Sequence, residues 1–236
     1  MAATILVTGF GPFPGAPFNP TGPLVERLAR LRRPTLADWT IVPHVFKASY
    51  AAVDRELPKL IAKHKPDALL MFGLAPRAKT LRIETRARNV LASLPDACGQ
   101  TLRRNLIAHG EPSTLLLPTP ARHLFAAAHT ARVPIMFSHD AGRYLCNYLC
   151  WRAAEAAARN GPRLAAFVHV PLISRTARRP SKRQLLTLDE LSRAGGRFLV
   201  AIATAVRRQP PGSMIRAVCQ SRRTWSREPA SGRGRS

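Results

Sequence analysis

The chain is 236 residues long, 46% hydrophobic, and carries a formal net charge of +24 at pH 7. That length holds one full hydrophobic core, and the composition is that of a globular protein, neither fibrous nor low-complexity throughout. No apolar run reaches the roughly 20 residues that a bilayer-spanning helix needs, and the N-terminus lacks the basic region of an export signal.

Read in chain order, Thr4 to Val7 is an apolar strand, followed from Gly9 to Pro20 by a loop of Gly, Pro and Phe. A dinucleotide fingerprint fails there because Pro14 stands where a glycine is required, and the Gly-Lys-Ser/Thr of a phosphate loop is absent. Leu24, Val25, Leu28 and Leu31 recur at helical spacing over Pro23 to Leu31, with proline at the start. Thr40 to Phe46 is a second strand, and Tyr50 to His64 a helix broken or kinked near Pro58. Asp67 to Leu74 is continuously apolar, as in a sheet covered on both faces. Ser113 to Leu117 is a short extended segment, Leu124 to Thr130 is helical, and Val133 to Phe137 reads as a buried strand. A helix runs from Cys146 to the stop signal Asn160-Gly161-Pro162, and Ala165 to Pro171 is another buried strand. Ser174 to Arg183 is a basic loop, and Leu186 to Arg208 a long helix despite Gly195-Gly196.

Strands alternating with helices predict an α/β fold: an open, mostly parallel twisted sheet flanked by helices on both faces, three layers in all. Residues 1–208 form this domain. Residues 209–236, dominated by Pro, Gly, Ser and Arg, read as a disordered basic tail. The charge raises the question of nucleic-acid binding. Most of the basic residues are Arg, in a chain also rich in Ala and Pro, as a GC-rich coding bias produces. No recognition helix or aromatic stacking platform accompanies them, so no nucleic-acid partner is expected. Cys98, Cys146, Cys150 and Cys219 lack Cys-x-x-Cys spacing and a paired His, so neither a metal nor another cofactor is expected. Few thiols and no export signal point to the cytoplasm.

The chemistry concentrates around Cys146. Ser138, Asp140 and Gly142 form a turn into its helix, which places the thiol in or near the first turn. Unpaired backbone N–H groups and the helix dipole favour an anion there, and the thiolate is the nucleophilic form. A buried, inert cysteine is the competing reading. His169 interrupts an apolar strand directly after that helix, where open α/β sheets place their chemistry, although a satisfied core histidine fits the same pattern. Glu84, amid Arg82, Arg86 and Arg88, is the only acid between Asp67 and Asp96, and a surface ion pair is its plainer role.

Four motifs in order resemble the pyroglutamyl peptidase I family of cysteine peptidases. They are Val7-Thr8-Gly9-Phe10-Gly11-Pro12-Phe13 with Asn19-Pro20; Glu84 with Asn89, Pro95-Asp96 and Gly99-Gln100; Ala141-Gly142-Arg143-Tyr144-Leu145-Cys146-Asn147; and Phe167-Val168-His169-Val170-Pro171. The resemblance implies an exopeptidase that removes N-terminal pyroglutamate through a thioester, with Cys146, His169 and Glu84 as catalytic residues. It also implies ring contacts from Phe10, Phe13, Asn19 and the residue at 74, pyroglutamyl peptides as partners, no membrane association, and a homodimer or homotetramer. Where the family usually reads Gly-Gln-Ala-Gly-Gly-Arg, this chain has Gly73-Leu74-Ala75-Pro76-Arg77-Ala78, and Pro14-Gly15 replaces Gly-Gly. These departures bear on specificity more than on chemistry.

Overall fold

The computed structural model describes residues 2–174 and 185–209. Of the basic loop expected over 174–183 only Ser174 lies within them, and of the tail expected over 209–236 only Gln209. Six strands form the main sheet. In chain order these are β1 (Ala3–Phe10), β2 (Trp39–Phe46), β3 (Ala68–Leu74), β4 (Leu81–Glu84), β7 (Ile135–Ser138) and β8 (Leu164–Val170), arranged β2-β1-β3-β8-β4-β7. Two further strands, β5 (Arg86–Arg88) and β6 (Thr114–Leu116), pair antiparallel as a separate ribbon, so the short segment expected near Ser113 stands outside the main sheet.

Strand alternation builds two cores. Ile5, Val7, Leu70, Phe72, Ala166 and Val168 face α1 (Thr21–Ala29), α3 (Ala121–Thr130) and α5 (Leu188–Arg208). Leu6, Phe10, Leu69, Met71, Ala165 and Phe167 face α2 (Tyr50–His64) and α4 (Leu145–Ala158). Residues one apart on a strand point to opposite faces, so a strand apolar on both parities needs cover on both sides. Helix α2 runs through Pro58 without a break, its start held by the Ser49 side chain accepting from the Ala52 N–H at 3.1 Å. The expected break does not occur.

The sheet contains one reversal. Strands β2, β1, β3 and β8 are mutually parallel, but β4 runs antiparallel to β8, and β7 is parallel to β4. The cause is the short link from Leu74 to Leu81. A parallel return needs a crossover of a dozen residues or more, so this link can only reverse the chain. It turns through an Ala78 N–H to Ala75 carbonyl bond of 2.9 Å, while the Ala75 N–H bonds the Val170 carbonyl at 2.8 Å. Strand β8 fills the gap between β3 and β4. Strand β7 is the outermost strand, and its Met136 and Phe137 are exposed, so the buried strand expected at Val133 to Phe137 is instead a sheet edge.

Candidate active site

Helix α4 begins at Leu145, which puts half-buried Cys146 at its second position. The turn before it is built as its residue types suggest. The Asp140 carboxylate accepts from the Gly142 N–H at 3.0 Å, and Gly142 has φ +86, a conformation that favours glycine. No side chain caps the helix and no acid lies in its first turn. The first intrahelical bond runs from the Tyr148 N–H to the Tyr144 carbonyl at 3.0 Å. The N–H groups ahead of it therefore point out of the helix end, where partial positive charge gathers.

Asn147, buried at 0% exposure, holds this helix to the neighbouring ribbon. Its amide nitrogen donates to the Arg88 and Val90 carbonyls at 2.8 and 3.2 Å, and its oxygen accepts from the Arg88 N–H at 2.9 Å. In the sequence, Asn147 stands only as part of the cysteine motif. A polar residue among Leu145, Tyr148 and Leu149 was the available signal for a buried fastening.

The antiparallel seam supplies the other two groups. In the β4–β8 ladder Arg82 pairs with His169 and Glu84 with Phe167, which puts Glu84 and His169 on the face covered by α4. His169 Nδ1 bonds the Glu84 carboxylate at 2.7 Å, with Glu84 fully buried and His169 at 6% exposure. The other ring nitrogen is left free of Glu84, and Cys146 lies near enough for its sulfur to act on the imidazole. Burial alone would lower the basicity of His169. The Cys146 thiolate and the Glu84 carboxylate outweigh it and raise the imidazole from 6.5 to about 9. Phe167 packs edge-on against the ring, with centroids 5.0 Å apart. The second Glu84 oxygen is buried without a hydrogen-bond partner. Such a carboxylate is a poor stabilising device on its own, which separates it from the surface ion pair considered above.

Gly73 completes the geometry and was not singled out by sequence. It pairs with His169 across β3 and β8. A Cβ there would lie 2.7 Å from Cys146 Sγ and 2.6 Å from Phe167 Cζ. The sulfur therefore occupies the space a side chain at 73 would take. Cys150, one turn along α4, is fully buried. Burial, with the charges of Glu84 and Cys146, pushes its thiol well above the ordinary value.

The expected ring contacts divide. Phe10 lies on the Cys146 face of β1, at 3% exposure and 6.0 Å between ring centroids from Phe46, and half-buried Phe13 packs on the same core. Asn19 is buried with its side chain engaged in the loop. Its nitrogen donates to the Gly11 carbonyl at 3.1 Å, and its oxygen accepts from Thr21 N–H and hydroxyl at 3.1 and 2.9 Å. Alternation along β3 puts Leu74 on the face opposite Gly73. Its side chain is therefore turned away from the Cys146 face.

A family model of pyroglutamyl peptidases matches residues 3–206. The chain belongs to that family. Among its relatives, the pyrrolidone-carboxylate peptidase of Pyrococcus furiosus is 31% identical over 171 residues, 72% of this chain and 81% of the relative. That of Deinococcus radiodurans is 30% identical over 171 residues, 71% of this chain and 78% of the relative. The solved structure of Bacillus amyloliquefaciens pyroglutamyl peptidase I superposes with a TM-score of 0.74 at 26% identity, covering 86% of this chain and 97% of that one. A mutant pyrrolidone carboxyl peptidase from Pyrococcus furiosus gives 0.75 at 26% identity, covering 85% and 99%. The three-layer α/β fold is the family's. Among the described residues no helix is long and apolar enough to cross a membrane.

Proposed function

We propose that this pyroglutamyl peptidase family member hydrolyses the bond after an N-terminal pyroglutamyl residue, with Cys146 as nucleophile, His169 as acid–base and Glu84 as orienting anion. The observation that carries the reading is the Glu84–His169 bond of 2.7 Å beside a cysteine whose sulfur acts on the same imidazole. His169 takes the Cys146 thiol proton as Sγ attacks the pyroglutamyl carbonyl carbon. His169 gives a proton to the departing amine as the C–N bond breaks, leaving a thioester. Water then attacks the thioester while His169 takes its proton, the acid leaves, and His169 returns that proton to the departing Cys146 sulfur. Glu84 holds the imidazole in one tautomer and stabilises its charged form. Backbone N–H groups at the start of α4 stabilise the oxyanion, and one such donor is typically worth about 3 kcal/mol.

Pyroglutamate carries an uncharged lactam where an ordinary peptide carries an ammonium group. Half-buried Phe13, backed by buried Phe10, offers apolar surface on the Cys146 face, and a free N-terminus would have to shed its hydration to enter. The substitution of Leu74 for the family's usual Gln falls on a residue whose side chain points away from the sulfur, and Pro14 and Pro76 are exposed. These positions support pyroglutamate recognition over a related cysteine hydrolase whose ring site the departures have altered. The test is hydrolysis of a pyroglutamyl fluorogenic amide beside prolyl and glutaminyl analogues. Turnover of the first alone is expected, and equal turnover of all three would overturn the assignment.

A further inference from the structure

The surfaces on the two sides of His169 differ. In the order β2-β1-β3-β8-β4-β7, Phe10 on β1 and Gly73 on β3 lie to one side of His169, and β4 and β7 lie to the other. Arg82 stands directly opposite His169 in the β4–β8 ladder. It shares the face of Glu84, since the two are two residues apart on one strand. A cleft of about 520 Å³ opens there, lined by Arg82, Arg86, Arg88, Ser138 and Asp140 among others.

Its charges are only partly matched. Arg88 is paired with Asp140 at 3.1 Å. Arg86 donates from Nε to the His139 carbonyl at 3.0 Å and has no carboxylate partner among the described residues. Arg82 has none either, and its Nε is buried without any hydrogen-bond partner. Guanidinium groups present paired donors that match a carboxylate. Arg86 follows Arg82 by four residues of mostly extended chain, roughly 13 Å, which is the span of three to four extended peptide residues.

We propose that this cleft binds carboxylates of the leaving peptide. The enzyme then favours pyroglutamyl peptides with an acidic side chain, or a free C-terminal carboxylate, within about three residues after the scissile bond. The proposal rests on the assignment of Cys146 and His169 above. It is tested by kcat/KM for matched pairs: pyroglutamyl-Ala-Glu-amide against pyroglutamyl-Ala-Gln-amide, and pyroglutamyl-Ala-Ala as free acid against its amide. The first pair reports a side-chain carboxylate and the second a terminal one. The acidic member of at least one pair is expected to lead by on the order of tenfold at low salt, and by less at high salt, where exposed charges are screened. In Arg82→Gln and Arg86→Gln the ratio, taken within each variant so that any general loss cancels, is expected to fall to about twofold or less. Ratios near unity in the wild type, or undiminished in both variants, overturn the proposal while leaving the peptidase reading intact. Failure to cleave any pyroglutamyl substrate overturns both.

Discussion

Adding one methyl group at position 73 asks whether packing sets the position of the sulfur. In Gly73→Ala the new carbon would sit 2.7 Å from Cys146 Sγ and 2.6 Å from Phe167 Cζ. Comfortable contacts begin near 3.5 Å, so one or both neighbours must retreat by about 1 Å. Phe167 has no free path, because it is fully buried and packs against His169, and any retreat of the half-buried sulfur carries it off its place beside that ring. Overpacking of this kind costs about 1–3 kcal/mol. At 2–4 °C per kcal/mol for a domain of this size, Tm should fall by roughly 2–12 °C. A 1 Å displacement of a reacting atom should lower kcat/KM by about a hundredfold. Both are read on one preparation, from a thermal melt and from pyroglutamyl-amide hydrolysis. Gly22→Ala is the control: its Cβ would come no closer than 3.7 Å to Val45, and activity should stay within about twofold. A Gly73→Ala protein with wild-type kcat/KM would refute the packing argument.

Glu84→Gln keeps the shape and removes the charge, and kcat/KM should fall by about 10²–10⁴, measured on the same substrate. Asn147→Ala deletes three buried hydrogen bonds and should cost roughly 2–4 kcal/mol in denaturant unfolding, with a cost below about 0.5 kcal/mol contradicting its fastening role. Cys150→Ser should leave kcat/KM within a few-fold, because that thiol is held protonated in the core; a loss near a hundredfold would implicate the wrong sulfur. His169 is raised to about 9 in the folded protein from an ordinary 6.5. Stability from its proton is therefore complete below about 6.5 and lost as pH rises through about 9. In Cys146→Ala a partner that raises His169 is gone, so the loss should be smaller and complete at lower pH; unfolding curves across this range with no difference between the two proteins would contradict the coupling.

The strands and helices were legible because their apolar residues alternate or recur cleanly, as in β3, β8 and α4. The reversal at β4 was not. Leu81-Arg82-Ile83-Glu84 is short and carries two charges, so its hydrophobic signal is weak, and its partner β8 lies far along the chain. Yet that reversal is what brings Glu84 beside His169. Cys146 and His169 stood out as chemically distinctive residues at an element's start and in an apolar strand. Gly73 did not, because the meaning of an absent side chain depends on what fills its space. Whether position 74 meets a ring through backbone or side chain is not legible in the sequence, and strand parity turns the Leu74 side chain to the other face.

The most direct test of the mechanism is rapid quenching of the enzyme during turnover of a pyroglutamyl ester or amide, followed by peptide mass spectrometry. A pyroglutamyl acyl group on Cys146, appearing before steady state and accumulating in His169→Ala when an activated ester is supplied, is the predicted result. An acyl group on another residue, or full turnover by Cys146→Ala, would contradict it.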